Sequence, residues 1–144
     1  MAYATPEDIA AIYGADALAR LTDADGAGAL DRPRAVQALA FAGSQIDGYL
    51  LARYALPLPV IPELVRMLAI DIAVYRLAQD HARLTDEIAK RYDDAMRSLR
   101  DIGAGKALLP IPTPAGGASA APATTIVAVE GASRVMERRE LRRL

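Results

Sequence analysis

The alternation of apolar and polar positions reads as helix almost everywhere up to Gly103. Thr5-Pro6-Glu7-Asp8 has the form of a helix start: Thr as N-cap, Pro in the first turn, and acids where the free amides face out. Tyr13-Gly14 reads as its stop, because Gly accepts a left-handed cap. Residues 15–21 predict a second short helix ending at Thr22, and Asp23-Ala-Asp-Gly-Ala-Gly reads as a flexible loop. Asp31 predicts the N-cap of a third helix with Pro33 in its first turn. Val36, Leu39, Gly43, Ile46, Leu50 and Arg53 recur at helical spacing and predict its buried face. The run Leu56-Pro57-Leu58-Pro59 ends that helix, since Pro removes an amide donor and restricts the residue before it. Pro62 suits the first position of a fourth helix, which has little polar face until Arg76, Gln79 and Asp80. A helix apolar nearly all round is either the centre of a bundle or partly covered by another subunit. Thr85 predicts the cap of a fifth helix, with Ile88, Tyr92, Ala95, Met96, Leu99 and Ile102 as one stripe. Its other side is charged, with i,i+4 pairs expected at Glu87–Arg91, Lys90–Asp94, Asp93–Arg97 and Arg97–Asp101. Gly103 is the expected C-cap.

After Lys106 the texture changes. The Pro/Gly/Ala-rich run that begins at Pro110 cannot build a core. Thr124-Thr-Ile-Val-Ala-Val-Glu130 is β-branched and reads as one short strand, which needs an edge to pair with. The expected organisation is a helical body at 1–107, a linker at 108–123, and a strand with a basic tail at 124–144. The fold class is thus mostly α: a small bundle of about five helices with an extended C-terminal arm carrying one short strand. Leu50, Leu68, Ile72, Tyr92 and Leu99 are the expected core.

Composition narrows the chemistry. The 144 residues contain no Cys, which excludes a disulfide framework, a thiolate metal site and a Cys nucleophile. His81 is the single His, beside Asp80 at a helix end, and reads as a cap or solvent position. No Ser has His and acid partners at triad spacing, and no phosphate-binding glycine pattern occurs. No enzyme activity, cofactor or metal is expected. Asp47 and Asp71 stand on otherwise apolar helices and must be paired; Arg53 and Arg76 are the expected partners of Asp47. The N-terminus has no secretory pattern, and the uncharged run 107–129 is broken by prolines, so no membrane association is expected and synthesis is expected in the cytosol.

Charge is uneven. The formal net charge is −1, yet the last twelve residues hold five Arg and two Glu, which leaves −4 on residues 1–132. The strand residues Ile126 and Val127 and the arginines Arg134, Arg138, Arg139, Arg142 and Arg143 are the candidate docking residues. Strand addition would be followed by bidentate contacts with carboxylates of an acidic partner.

The order of parts resembles the Mu-like phage family of head–tail adaptor (connector) proteins. The resemblance runs over residues 3–109. It includes Leu18-x-x-Leu21-Thr22-Asp23 and Ile46-Asp47-Gly48-Tyr49-Leu50-x-x-Arg53-Tyr54-x-Leu56-Pro57-Leu58. It continues with Pro62 and the apolar positions just after it, then Asp71-Ile-Ala-x-Tyr75-x-Leu77, and Tyr92-x-x-Ala95-x-x-x-Leu99-x-x-Ile102-x-x-Gly105. The Asp-Gly-Tyr-Leu-x-x-Arg-Tyr-x-Leu-Pro-Leu run is its most specific part, and the proline-rich insert departs from it. The resemblance implies a non-enzymatic helical subunit in the neck of a virion, forming a dodecameric ring beneath the portal protein. Its implied partners are copies of itself, the portal, and a tail-side neck, stopper or tail-completion protein, with double-stranded DNA passing through the centre. An acidic body suits a channel that must not grip a polyanion. The competing reading is a small dimeric helical regulator or antitoxin-like module that binds protein or DNA; it explains the basic tail but not the proline elbow.

Overall fold

In a computed structural model, residues 2–23, 26 and 28–111 are described, and their regular structure is five helices. The first, α1 (Pro6–Tyr13), opens on Thr5, whose hydroxyl accepts from the Asp8 amide while the Asp8 carboxylate accepts from the Thr5 amide. This reciprocal box satisfies two amides that no helix bond can reach. Gly14 ends α1 at φ +92° and leads directly into α2 (Ala15–Thr22). Thr22 closes that helix. Its hydroxyl donates to the Leu18 carbonyl and accepts from the Asp31 amide at 3.1 Å, so both ends of the glycine-rich loop are fixed to one buried side chain.

The third helix, α3 (Arg32–Leu50), is capped by Asp31, which accepts from the Arg34 amide at 3.1 Å. The fourth, α4 (Glu63–Asp80), has Pro62 as its N-cap residue rather than its first helical residue. The ring holds φ at −65° while ψ stays extended, so the chain turns into the helix one residue later than expected. The fifth, α5 (Asp86–Gly103), is capped by Thr85 as expected.

Of the two arrangements open for α4, it takes the centre: it packs against α1, α2, α3 and α5. Val65, Leu68, Ile70, Ile72, Val74 and Leu77 are buried along it. On α3, Ala35, Ala38, Ala42 and Gly43 are buried, and their small side chains leave room for a close neighbouring helix. Leu50, Leu68, Ile72 and Leu99 lie in the core as expected.

Several expectations need correction. Val36 is 50% exposed, because the inward stripe of α3 runs through Ala35, Ala38, Leu39, Ala42 and Ile46. Arg53 is exposed too, since α3 has already ended at Leu50. Tyr92 is only half-buried; its ring stacks on Tyr75 at 3.9 Å between centroids and an interplanar angle of 10°. On α5 the observed pairs are Glu87–Arg91 at 2.9 Å and Asp94–Arg97 at 3.2 Å, the latter at i,i+3 spacing. The left-handed residue after α5 is Gly105, at φ +76°, whereas Gly103 is still helical.

The expected boundary at 107 also falls short of the body. Leu109 is buried, its amide donates to the Tyr54 hydroxyl at 3.0 Å, and Ile111 packs on the core. The remainder of the expected linker, from 112, and the expected strand at 124–129 lie outside the described residues.

Candidate functional site

The most specific run of the family resemblance, from Asp47 to Leu58, lies at one end of the bundle. The end of α3, the start of α4 and the end of α5 meet there, because the three helices run alternately up and down. After α3 the chain makes a tight turn, with the Arg53 and Tyr54 amides both donating to the Leu50 carbonyl. The elbow then runs through a cis Leu56-Pro57 peptide, buries Leu58, and reaches the buried Pro62. Arg53 lies across Gly105 so closely that a Cβ there would land on the guanidinium. A Cβ on Gly103 would meet the Tyr49 carbonyl at 3.2 Å, so α5 rests on the last turn of α3. Tyr54 holds the chain beyond α5 through Leu109. Leu51, Val60, Leu64 and Leu108 remain exposed around this corner. The elbow run thus builds a fixed corner rather than a pocket.

Both acids on apolar helices are paired, each accepting from a tyrosine hydroxyl. Asp47 accepts from the buried Tyr3 hydroxyl, which ties the N-terminus to α3. Burial and then the adjoining Asp47 push the Tyr3 phenol far above its ordinary range. Asp71 accepts from the Tyr13 hydroxyl at 3.1 Å. Arg91 reaches the same hydroxyl at 3.4 Å, stacks over the Tyr13 ring at 5.4 Å, and pairs with Glu87. One network therefore joins α1, α4 and α5. Burial raises the Asp71 carboxyl, opposed by the Tyr13 hydroxyl and the Arg91 charge. Burial and then the Asp71 charge push the Tyr13 phenol up to about 12.

A pH dependence follows. A free phenol titrates near 10, and Tyr13 does so near 12 in the fold, so the folded state holds the proton more tightly. That contribution is fully present below about pH 10 and is lost as the pH climbs toward 12. The melting temperature should fall across that window, and Tyr13→Phe should flatten the part of the fall that Tyr13 causes, leaving that of Tyr3. At neutral pH Tyr13→Phe strips Asp71 of a donor and should destabilise by about 1–3 kcal/mol. Circular-dichroism melts from pH 7 to 12 check both; a variant as stable as the parent, with the same alkaline profile, would remove the network from the account.

A third feature was not legible in the sequence. Phe41 projects from α3 and is 43% exposed, with the Arg76 guanidinium of α4 5.0 Å from its ring centroid. Two shallow clefts flank this pair. One is lined by Arg34 and Gln37 with Asp80, the other by Gln45, Tyr75, Gln79 and Tyr92. Gln79 donates to the Tyr75 hydroxyl at 3.2 Å, and the Asp80 carboxylate is 3.9 Å from Arg76. Gln45 Oε1 is buried in this wall without a hydrogen-bond partner among the described residues. His81 Nε2 is in the same condition at the end of α4. The sequence signals were present but faint: the chain's one Phe at an outward position, and Tyr75-Arg76 where the largely apolar fourth helix begins to show a polar face.

The expected docking residues Ile126, Val127, Arg134, Arg138, Arg139, Arg142 and Arg143 lie outside the described residues. Among the described residues no helix is long and apolar enough to cross a membrane.

Comparison with known proteins gives a family match. The model of the family described as "Bacteriophage Mu, Gp36" matches residues 3–128. "Gene product J" of Escherichia phage Mu is 39% identical over 109 residues, 74% of each chain. "Mu-like prophage FluMu protein gp36" of Haemophilus influenzae is 32% identical over 103 residues, 72% of each chain.

Proposed function

The chain belongs to the bacteriophage Mu Gp36 family, and from that premise we propose that it is a non-enzymatic head–tail adaptor of a Mu-like phage or prophage. In this reading copies of it form a ring beneath the portal, in the neck of the virion. The ring joins head to tail and lets double-stranded DNA pass. The observation that carries the reading is the elbow corner. The residues most specific to adaptor-like sequences hold the ends of α3 and α5 together through Arg53 over Gly105 and Tyr54 to Leu109. Side chains spent on a rigid corner suit a building block that meets large partners, since the polar groups that would turn over a substrate are used for bracing. The net −4 of residues 1–132 supports a channel wall that repels the phosphate backbone. In the same reading the tail, through Ile126, Val127 and its five arginines, docks on acidic groups of the portal or a neighbouring copy, and the tail-side neck, stopper or completion protein binds below.

The test is genetic and structural. Deleting the gene from an inducible prophage should leave filled or empty heads and finished tails that do not join, and antibody against the chain should label the neck of complete particles. Infectious particles produced without the gene would sink the reading. Label on repressor or antitoxin complexes, with DNA retained in a salt-dependent way, would favour the dimeric regulator.

A further inference from the structure

Resting on the ring reading above and giving it a contact, we infer that the cleft of α3 and α4 around Phe41 and Arg76 receives the outer face of α5 from a neighbouring copy. Three observations meet in this pairing.

The first is charge. On α5, Asp86, Lys90, Asp93 and Arg97 are exposed and fall at spacings of four, three and four residues, which places them on one ridge away from the core stripe. Asp86, Lys90 and Asp93 form no ion pair with another described residue. The cleft offers the complement. Arg34 is likewise without an ion pair among the described residues, and Arg76 has Asp80 only at 3.9 Å, beyond a hydrogen bond. Two acids on the ridge answer two guanidinium groups in the cleft.

The second is length. From Asp86 to Arg97 is eleven residues of helix, about 16 Å. From Arg34 to Gln45, the two ends of the cleft wall on α3, is the same number of residues and the same about 16 Å.

The third is the chemistry of the floor. An exposed Phe with an Arg stacked on it, beside a stacked Tyr75–Tyr92 pair, concentrates the residue types that dominate protein interfaces. Covering Phe41 and Arg76 would remove water from the cation–π contact and strengthen it.

Cleft and ridge are different surfaces of one chain. A contact between them is heterologous, leaves one of each free on every pair, and closes into a ring when the rotation allows.

The test uses Arg76→Glu and Asp93→Arg in the full-length chain. Both positions are exposed, so the fold should be unchanged, which circular dichroism confirms. Sedimentation of the wild-type chain at rising concentration should show association beyond two copies. Each variant alone should bind itself at least about tenfold more weakly. An equimolar mixture of the two should regain association beyond two copies. The intact cleft of the Asp93→Arg chain meets the intact ridge of the Arg76→Glu chain, and at the other junction the two substitutions restore an opposite-charge pair with the signs exchanged. A wild-type chain that stays monomeric overturns the inference, as do variants that associate like the parent or a mixture that assembles no further than its parts. Heads completed equally well by both variants overturn it while leaving the adaptor reading intact; only heads completed without the gene overturn that reading.

Discussion

Leu99→Ala is expected to destabilise the body by about 2–5 kcal/mol, because the side chain is fully enclosed and the helices around it cannot collapse into the gap. Leu99 lies on the inner stripe of α5, between Ala95-Met96 and Ile102. The stripe is the only apolar surface α5 has, since its outer positions are charged. Truncating the side chain there weakens the attachment of the whole helix to α4 and α3. Against a typical domain stability of about 5–15 kcal/mol, that is a large share. Urea denaturation should show a lower midpoint with an unchanged slope. Leu64→Ala, at an exposed position in the first turn of α4, is the control and should stay within about 0.5 kcal/mol. If the two substitutions cost the same, Leu99 does not sit in the core described here.

Gly105→Val should cost about 2–3 kcal/mol, for two separable reasons. The residue stands at φ +76°, where a β-branched side chain is sterically strained. Its Cβ would also occupy the place of the Arg53 guanidinium, so the arginine must leave the corner. Gly48 gives the opposite sign. It lies within α3 with nothing within 4 Å of where a Cβ would be. Gly48→Ala should therefore stabilise by about 0.5–1 kcal/mol through helix propensity alone. Thermal melts of both variants decide the matter. Equal effects at the two glycines would mean that the Arg53–Gly105 approach is not a feature of the folded chain.

Local chemistry was legible in the sequence. Thr5, Asp31 and Thr85 cap the helices they were expected to cap, because an N-cap needs only a short polar side chain and a few residues downstream. The central place of α4 was legible as one of two choices, since no other segment is apolar on every side. Errors arose where a neighbour decides. Val36 and Ala35 differ by one position on a helix rich in Ala, and only the approach of α4 selects which faces in. Gly103 and Gly105 are equally plausible stops until Arg53 comes to lie across the second. Asp47 was given arginine partners at the elbow, but Tyr3 reaches it from a segment 44 residues away, a distance no local pattern spans. The Phe41–Arg76 cleft left only faint signals for the same reason: its parts come from three helices and carry no motif. The arm, by contrast, was read from composition alone, and its docking residues remain a proposal.

The measurement closest to the central claim is the native mass of the full-length chain bound to purified portal. An adaptor that rings the portal should bind as a single closed multiple, with the dodecamer expected, and deleting residues 124–144 should abolish retention while leaving a folded helical body. A two-fold dimer that leaves the portal unbound, or a truncated chain retained as well as the whole, would contradict the account.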